Sequence, residues 1–170
     1  LWRAAGERRV EAITLNNIGL ASHSLGEKRK ALDFYTQSLP LFRAVSDRRE
    51  EANTLNNISL AYYSLGEKKK AIDFYTQALP LLRTEGDRSG EAGTLSDIGT
   101  VYDSLGEKQM ALDNYIRALL IYRAVGDRSG EATTLNNIGE VYDSMGKKRK
   151  ALDYYNQASM IQRATGGPRN

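Results

Sequence analysis

Thr54-Leu55-Asn56-Asn57-Ile58-Ser59 is one of four near copies spaced at a constant interval. Residues 14–19 read TLNNIG, residues 94–99 TLSDIG and residues 134–139 TLNNIG again. Outward from this segment the spacing persists. Gly26, Gly66, Gly106 and Gly146 stand 40 residues apart, as do Ala31, Ala71, Ala111 and Ala151, and Tyr35, Tyr75, Tyr115 and Tyr155. A fixed period of this length signals a repeat architecture. Four copies fit, at 8–47, 48–87, 88–127 and 128–167, within a single repeat domain spanning 1–170. Residues 1–7 align with 121–127 and read as the end of a truncated preceding repeat, and 168–170 as a tail.

Each copy reads as two helices. In the first, Ala12, Leu15, Ile18 and Ser22 recur at spacings of three and four, the helical period. Leu25-Gly26-Glu27 follows, with the glycine supplying the left-handed backbone that ends a helix. In the second, Ala31, Leu32, Tyr35, Leu39 and Phe42 form an apolar stripe. Ser46-Asp47, Gly86-Asp87 and Gly126-Asp127 stop it, and each Asp is placed to cap the next helix. Small residues mid-way along the first helices (Gly19, Ser59, Gly99, Gly139) match small residues on the second (Ser38, Ala78, Ala118, Ala158), so the two backbones are expected to approach closely. Pro40 and Pro80 predict a bend in two second helices. No alternating β pattern competes, and the expected fold is all-α.

Composition is that of an ordinary globular chain: 41% hydrophobic and 26% charged residues, without cysteine. The lack of cysteine removes disulfides, thiol catalysis and thiolate metal sites, and fits a cytoplasmic location. No apolar run is long enough to span a membrane. A formal charge of +3 is small for 170 residues and argues against a strong nucleic-acid binder.

Leu15, Ile18-Gly19, Tyr62, Gly26, Ala31, Tyr35 and Ser38/Ala78 together resemble the tetratricopeptide repeat (TPR) pattern over nearly the whole chain. The period departs from the usual 34 or so residues, and the usual Trp at the Leu15 position and the proline ending each repeat are missing. Long repeats of this kind resemble those of kinesin light chains, Pins-type adaptors and bacterial TPR arrays. The resemblance implies a right-handed α-solenoid superhelix of four antiparallel hairpins. It further implies a concave groove lined by the first helices, and a protein–protein interaction scaffold that is not an enzyme.

Carried over position by position, the resemblance gives four rows of groove residues. They are Asn16, Asn56, Ser96 and Asn136; Asn17, Asn57, Asp97 and Asn137; Leu20, Leu60, Thr100 and Glu140; and His23, Tyr63, Asp103 and Asp143. A primary amide donates and accepts, so it can pair with the backbone of a bound peptide whatever its side chains. The same amides could instead bridge helices of the scaffold. Leu20, Leu60, Tyr63 and His23 offer an apolar half, and Asp97, Asp103, Glu140 and Asp143 an acidic half. The expected partner is a protein or peptide with apolar and basic residues.

Catalysis, cofactors and metals have no candidate constellation. His23 is the only histidine, and the glycines are dispersed rather than grouped as a phosphate loop. The basic turns at 28–30, 68–70, Lys108 and 147–150 are expected along one rim, read first as a solvated surface beside Glu27, Glu67 and Glu107. Apolar surface is expected at both ends of the array, which gives a second reading, a structural spacer that stacks head to tail with copies of itself.

Overall fold

A computed structural model describes residues 2–166, with side chains described over 4–165; Leu1 and 167–170, including the expected 168–170 tail, lie outside the described residues. The described residues form eight α-helices and no strand: α1 Trp2–Ser24, α2 Lys28–Ala44, α3 Arg48–Ser64, α4 Lys68–Thr84, α5 Arg88–Ser104, α6 Lys108–Val125, α7 Arg128–Ser144 and α8 Lys148–Gly166. They fall into two compact units. Leu1–Gly86 holds α1 to α4 and Asp87–Asn170 holds α5 to α8.

The stops are those the sequence implies. Gly26, Gly66, Gly106 and Gly146 all take positive φ, between 74° and 81°, at the ends of α1, α3, α5 and α7. The Gly26 and Glu27 amides then reach back to the His23 and Ser22 carbonyls at 2.9 Å each. Ser46 adopts φ 57° where Gly86 and Gly126 stand in later repeats. Asp47, Asp87 and Asp127 accept the Glu50, Gly90 and Gly130 amides at 3.3, 2.8 and 2.9 Å, so each caps the following helix. One local expectation meets a different geometry. α1 runs without a break through Gly6 and Glu7, where alignment with 121–127 would place a turn. α2 and α4 continue through Pro40 and Pro80, whose rings are exposed.

Within a hairpin, a tyrosine of the second helix lies on a side-chain-free spot of the first. A Cβ added at Gly99 would stand 2.7 Å from Tyr115 Cε1, and one at Gly139 2.6 Å from Tyr155 Cε1. Fully buried Ala31, Ala71, Ala111 and Ala118 bring the remaining turns together. In the first unit, Leu39, Leu55, Ile58 and Leu82 fill the space around Tyr35; in the second, Leu119, Leu135 and Ile138 do so around Tyr115.

Within each unit an Arg–Glu ion pair ties consecutive hairpins. Arg43 Nε meets Glu51 Oε1 across α2 and α3, and Arg123 Nε meets Glu131 Oε1 across α6 and α7, both at 2.7 Å. Burial alone would raise the pKa of Glu131, but hydrogen bonds from Arg123 and from Arg128 at 2.9 Å reverse that and hold it below its ordinary value.

Two predictions follow from this packing. Gly99→Val should destabilise the chain by about 2–3 kcal/mol through overpacking against Tyr115, whereas Gly99→Ser, the residue at Ser59, should cost under about 1 kcal/mol; chemical denaturation checks both. Because the folded pKa of Glu131 is depressed, its stabilising contribution is present above the unfolded value of 4.5 and lost as pH falls through the lower folded one. Glu131→Gln should therefore cost about 1 kcal/mol at neutral pH, a figure discounted because the Arg123 and Arg128 side chains are 45% and 64% exposed. It should also flatten the acid limb of a stability-versus-pH curve.

Candidate functional site

The first helices of each unit lie side by side, and hydrogen bonds between side chains fix their register in the first unit. Asn16 Oδ1 accepts from Asn57 Nδ2 at 3.3 Å and from Thr54 Oγ1 at 3.5 Å. Two turns further on, His23 Nε2 and Ser64 Oγ are 3.4 Å apart. The Ser64 carbonyl accepts from Lys28 Nζ at 2.7 Å. Residue n of α1 thus stands beside residue n + 41 of α3, at both ends of the contact.

That register separates Asn16 from Asn17. Asn16 is only 7% exposed. It ties α1 to α3, the helix-bridging role that the sequence left open beside ligand contact. Asn17, one residue and about 100° further round the helix, is exposed, and Asn57 is half-buried. Leu20 and Leu60 stand on this uncovered side at 42% and 43% exposure, deep in their helices rather than at frayed ends. His23, Asn56 and Tyr63 are half-buried. Thr54 and Ser64 have no place among the expected site residues, although their 40-residue spacing from Thr14 and Ser24 marks them as repeat positions.

In the second unit the same rows are more polar. Asp97 and Glu140 are exposed, and Ser96, Thr100, Asn136 and Asn137 are half-buried. Thr100 Oγ1 donates to the Ser96 carbonyl at 3.2 Å and lies 3.0 Å from the Tyr115 hydroxyl. Asp103 and Asp143, expected to attract a basic ligand, are already engaged within the chain: Lys108 Nζ lies 2.7 Å from Asp103 Oδ1 and Lys148 Nζ 2.6 Å from Asp143 Oδ1. Each pair bridges the turn between a first and a second helix. Glu140 is the acid of the expected set that stands most plainly on the open side of its helix.

Among the described residues, no group of three or more His, Asp or Glu side chains is placed to hold a metal ion. None of the described helices is long and apolar enough to cross a membrane.

A tetratricopeptide repeat model matches residues 11–84 and 85–164. The chain belongs to the tetratricopeptide repeat family. No curated protein matches it in sequence. Solved TPR-like structures resemble it closely in fold. BtubC (BKLC) from P. vanneervenii superposes with a TM-score of 0.84 at 22% identity, over 94% of this chain and 66% of that one. Aspartyl phosphate phosphatase F from Bacillus subtilis gives 0.89 at 15% identity, over 94% and 42%. A kinesin light chain candidate from P. anserina, built of nearly identical TPR-like repeats, gives 0.76 at 15%, over 92% and 77%. The chain thus spans less than two thirds of the first two proteins. Identities this low carry the all-α repeat fold and nothing finer, and the TPR fold in general supports a protein–protein interaction scaffold.

The two amides of the TLNNIG segment should separate by experiment. Asn16→Ala should lower stability by about 1–2 kcal/mol, because it strands the buried Thr54 hydroxyl and the Asn57 amide. Asn17→Ala should change stability by less than about 0.5 kcal/mol. Equilibrium unfolding of the two single variants checks the contrast.

Proposed function

We propose that this TPR chain holds a segment of a partner protein on the faces of its first helices that the second helices leave open. The observation that carries the reading is the pair Leu20 and Leu60. Both sit mid-helix beside residues packed to burial (Gly19 and Ser59), yet both remain more than two-fifths exposed. Large apolar side chains presented this way, beside the amides of Asn17 and Asn57, suit a ligand with apolar side chains and a backbone available for hydrogen bonding. Covering what remains exposed of each leucine contributes about 1 kcal/mol.

The open face of α5 and α7 differs in character. Glu140 and Asp97 replace the leucine and asparagine of the first unit, which favours Lys or Arg in a segment held there. No catalytic step is part of this reading, and the supporting features are chemical complementarity and the family's general use as a scaffold. A second reading is head-to-tail stacking of copies, favoured by the exposure of Ile18 at 39% where Ile58 and Ile138 are fully buried. It stands second because α8 is poorly suited to the contact. Ser159 and Gln162 occupy the positions of Leu39, Leu79 and Leu119 and of Phe42, Leu82 and Tyr122.

Selection of random peptides on the immobilised chain, followed by anisotropy titration of the enriched sequences, tests the groove-type reading. Leu20→Asp with Leu60→Asp should leave the melting temperature nearly unchanged and weaken the selected peptides by about tenfold or more, the equivalent of roughly 1.4 kcal/mol. Peptides that bind the double variant equally well would remove the first-unit face from consideration.

A further inference from the structure

The turn from α7 to α8 differs from the other three hairpin turns in the sign of one residue. Glu27, Glu67 and Glu107 immediately precede α2, α4 and α6, and Lys147 holds the same place before α8. In the first two turns that glutamate pairs with the lysine three residues on, Lys30 at 2.9 Å and Lys70 at 2.6 Å. Lys150, the equivalent lysine of the fourth repeat, has another cation at the position where Lys30 and Lys70 have a carboxylate.

Three of the four consecutive cations, all of them exposed, have partners within the chain. Lys147 and Lys150 both direct their ammonium groups at one ring, 5.9 and 5.4 Å from the centroid of Tyr142. Tyr142 is braced in turn by stacking on Tyr154, centroid to centroid at 5.5 Å. Lys148 is fixed by Asp143. Gly146 and residues 147–150 line an open cavity of about 510 Å³. Attraction to the ring therefore gathers like charges that repel each other, and the glutamate that balances them elsewhere is gone.

The charge surplus points to the class of ligand. Residues 143–153 carry four cations against Asp143 and Asp153, a surplus of two; the windows 23–33 and 63–73 carry a surplus of one, and 103–113 has more acids than cations. A phosphomonoester carries a charge of about −2 near neutral pH, whereas a single carboxylate would leave one positive charge unmatched. Exposed Arg149 adds a planar guanidinium whose paired N–H groups fit two phosphate oxygens. Single-stranded nucleic acid fits less well, because the nearest ring, Tyr142, is already engaged by Tyr154 and two lysines and is not open for base stacking.

We infer that the α7–α8 turn binds a phosphomonoester dianion, with Lys147 and Lys150 supplying the charge, Arg149 the directed donors and Tyr142 the platform that keeps the two lysines together. The site stands apart from the first-helix faces of the proposed scaffold function and goes beyond that reading.

Backbone-amide NMR on the whole chain at low ionic strength tests it, with separate titrations of inorganic phosphate, a phosphoserine peptide and the same peptide with unmodified serine. The amides of residues 146–150 should shift with the two phosphate-bearing ligands and not with the third. Lys147→Glu restores the residue found in the other three turns, so it should fold unchanged and weaken the phosphate-bearing ligands by about tenfold or more. Equal affinity for the two identifies the free anion as the ligand, and tighter binding of the peptide identifies a phosphorylated protein; either outcome supports the site. Leu20→Asp with Leu60→Asp should leave this binding intact, which separates its failure from failure of the scaffold reading. No shift at residues 146–150 with millimolar phosphate or phosphoserine peptide, or equal binding by Lys147→Glu, would overturn the inference.

Discussion

Each hairpin depends on an aromatic ring laid against a helix that offers it no bulky side chain. Tyr35, Tyr115 and Tyr155 lie over Gly19, Gly99 and Gly139, at distances that a methyl group at the glycine would violate. Glycine inside a helix costs about 1 kcal/mol relative to alanine, and the cost is offset by burying most of a tyrosine ring. The consequence is directional. The second helix seats on the glycine side, and Leu20 and Leu60, one residue and about 100° further round the helix, stay uncovered.

The joins between successive hairpins add polar restraints to the apolar contact. Arg43 with Glu51 and Arg123 with Glu131 repeat one geometry in the two units, and the aspartate caps set where each following helix begins. Asn16 performs a related task between the first helices themselves. Such partly buried polar contacts fix register more than they add stability.

Helix positions and stops were legible because each depends on residues close in sequence: glycine at positive φ, aspartate at the cap, and apolar positions three and four apart. The close approach of the helices could also be read, since small residues at Gly19 and Ala31 have no other evident use. Two features escaped because they depend on spatial neighbours. The different fates of Asn16 and Asn17 required knowing that α1 meets α3 with an offset of 41 residues, which buries the first and leaves the second exposed. The engagement of Asp103 and Asp143 by Lys108 and Lys148 required the turn geometry that folds the lysine back over the preceding helix end. The continuity of α1 through Gly6 escaped for a different reason: alignment with a turn elsewhere outweighed the local preference of a stretch rich in helix formers.

The account rests on one side of the first helices being packed within the fold, as at Ile58 and Ile98, while the side bearing Leu20 and Leu60 stays open. The chain contains no cysteine, so single cysteines introduced at positions 20, 60, 58 and 98 report each face without background, through their rates of maleimide labelling. Cysteines at 20 and 60 should react at rates close to those of an unstructured thiol, and cysteines at 58 and 98 orders of magnitude more slowly. Protection at 20 and 60 comparable to that at 58 and 98 would contradict the account, because it would mean that the proposed docking face is already covered.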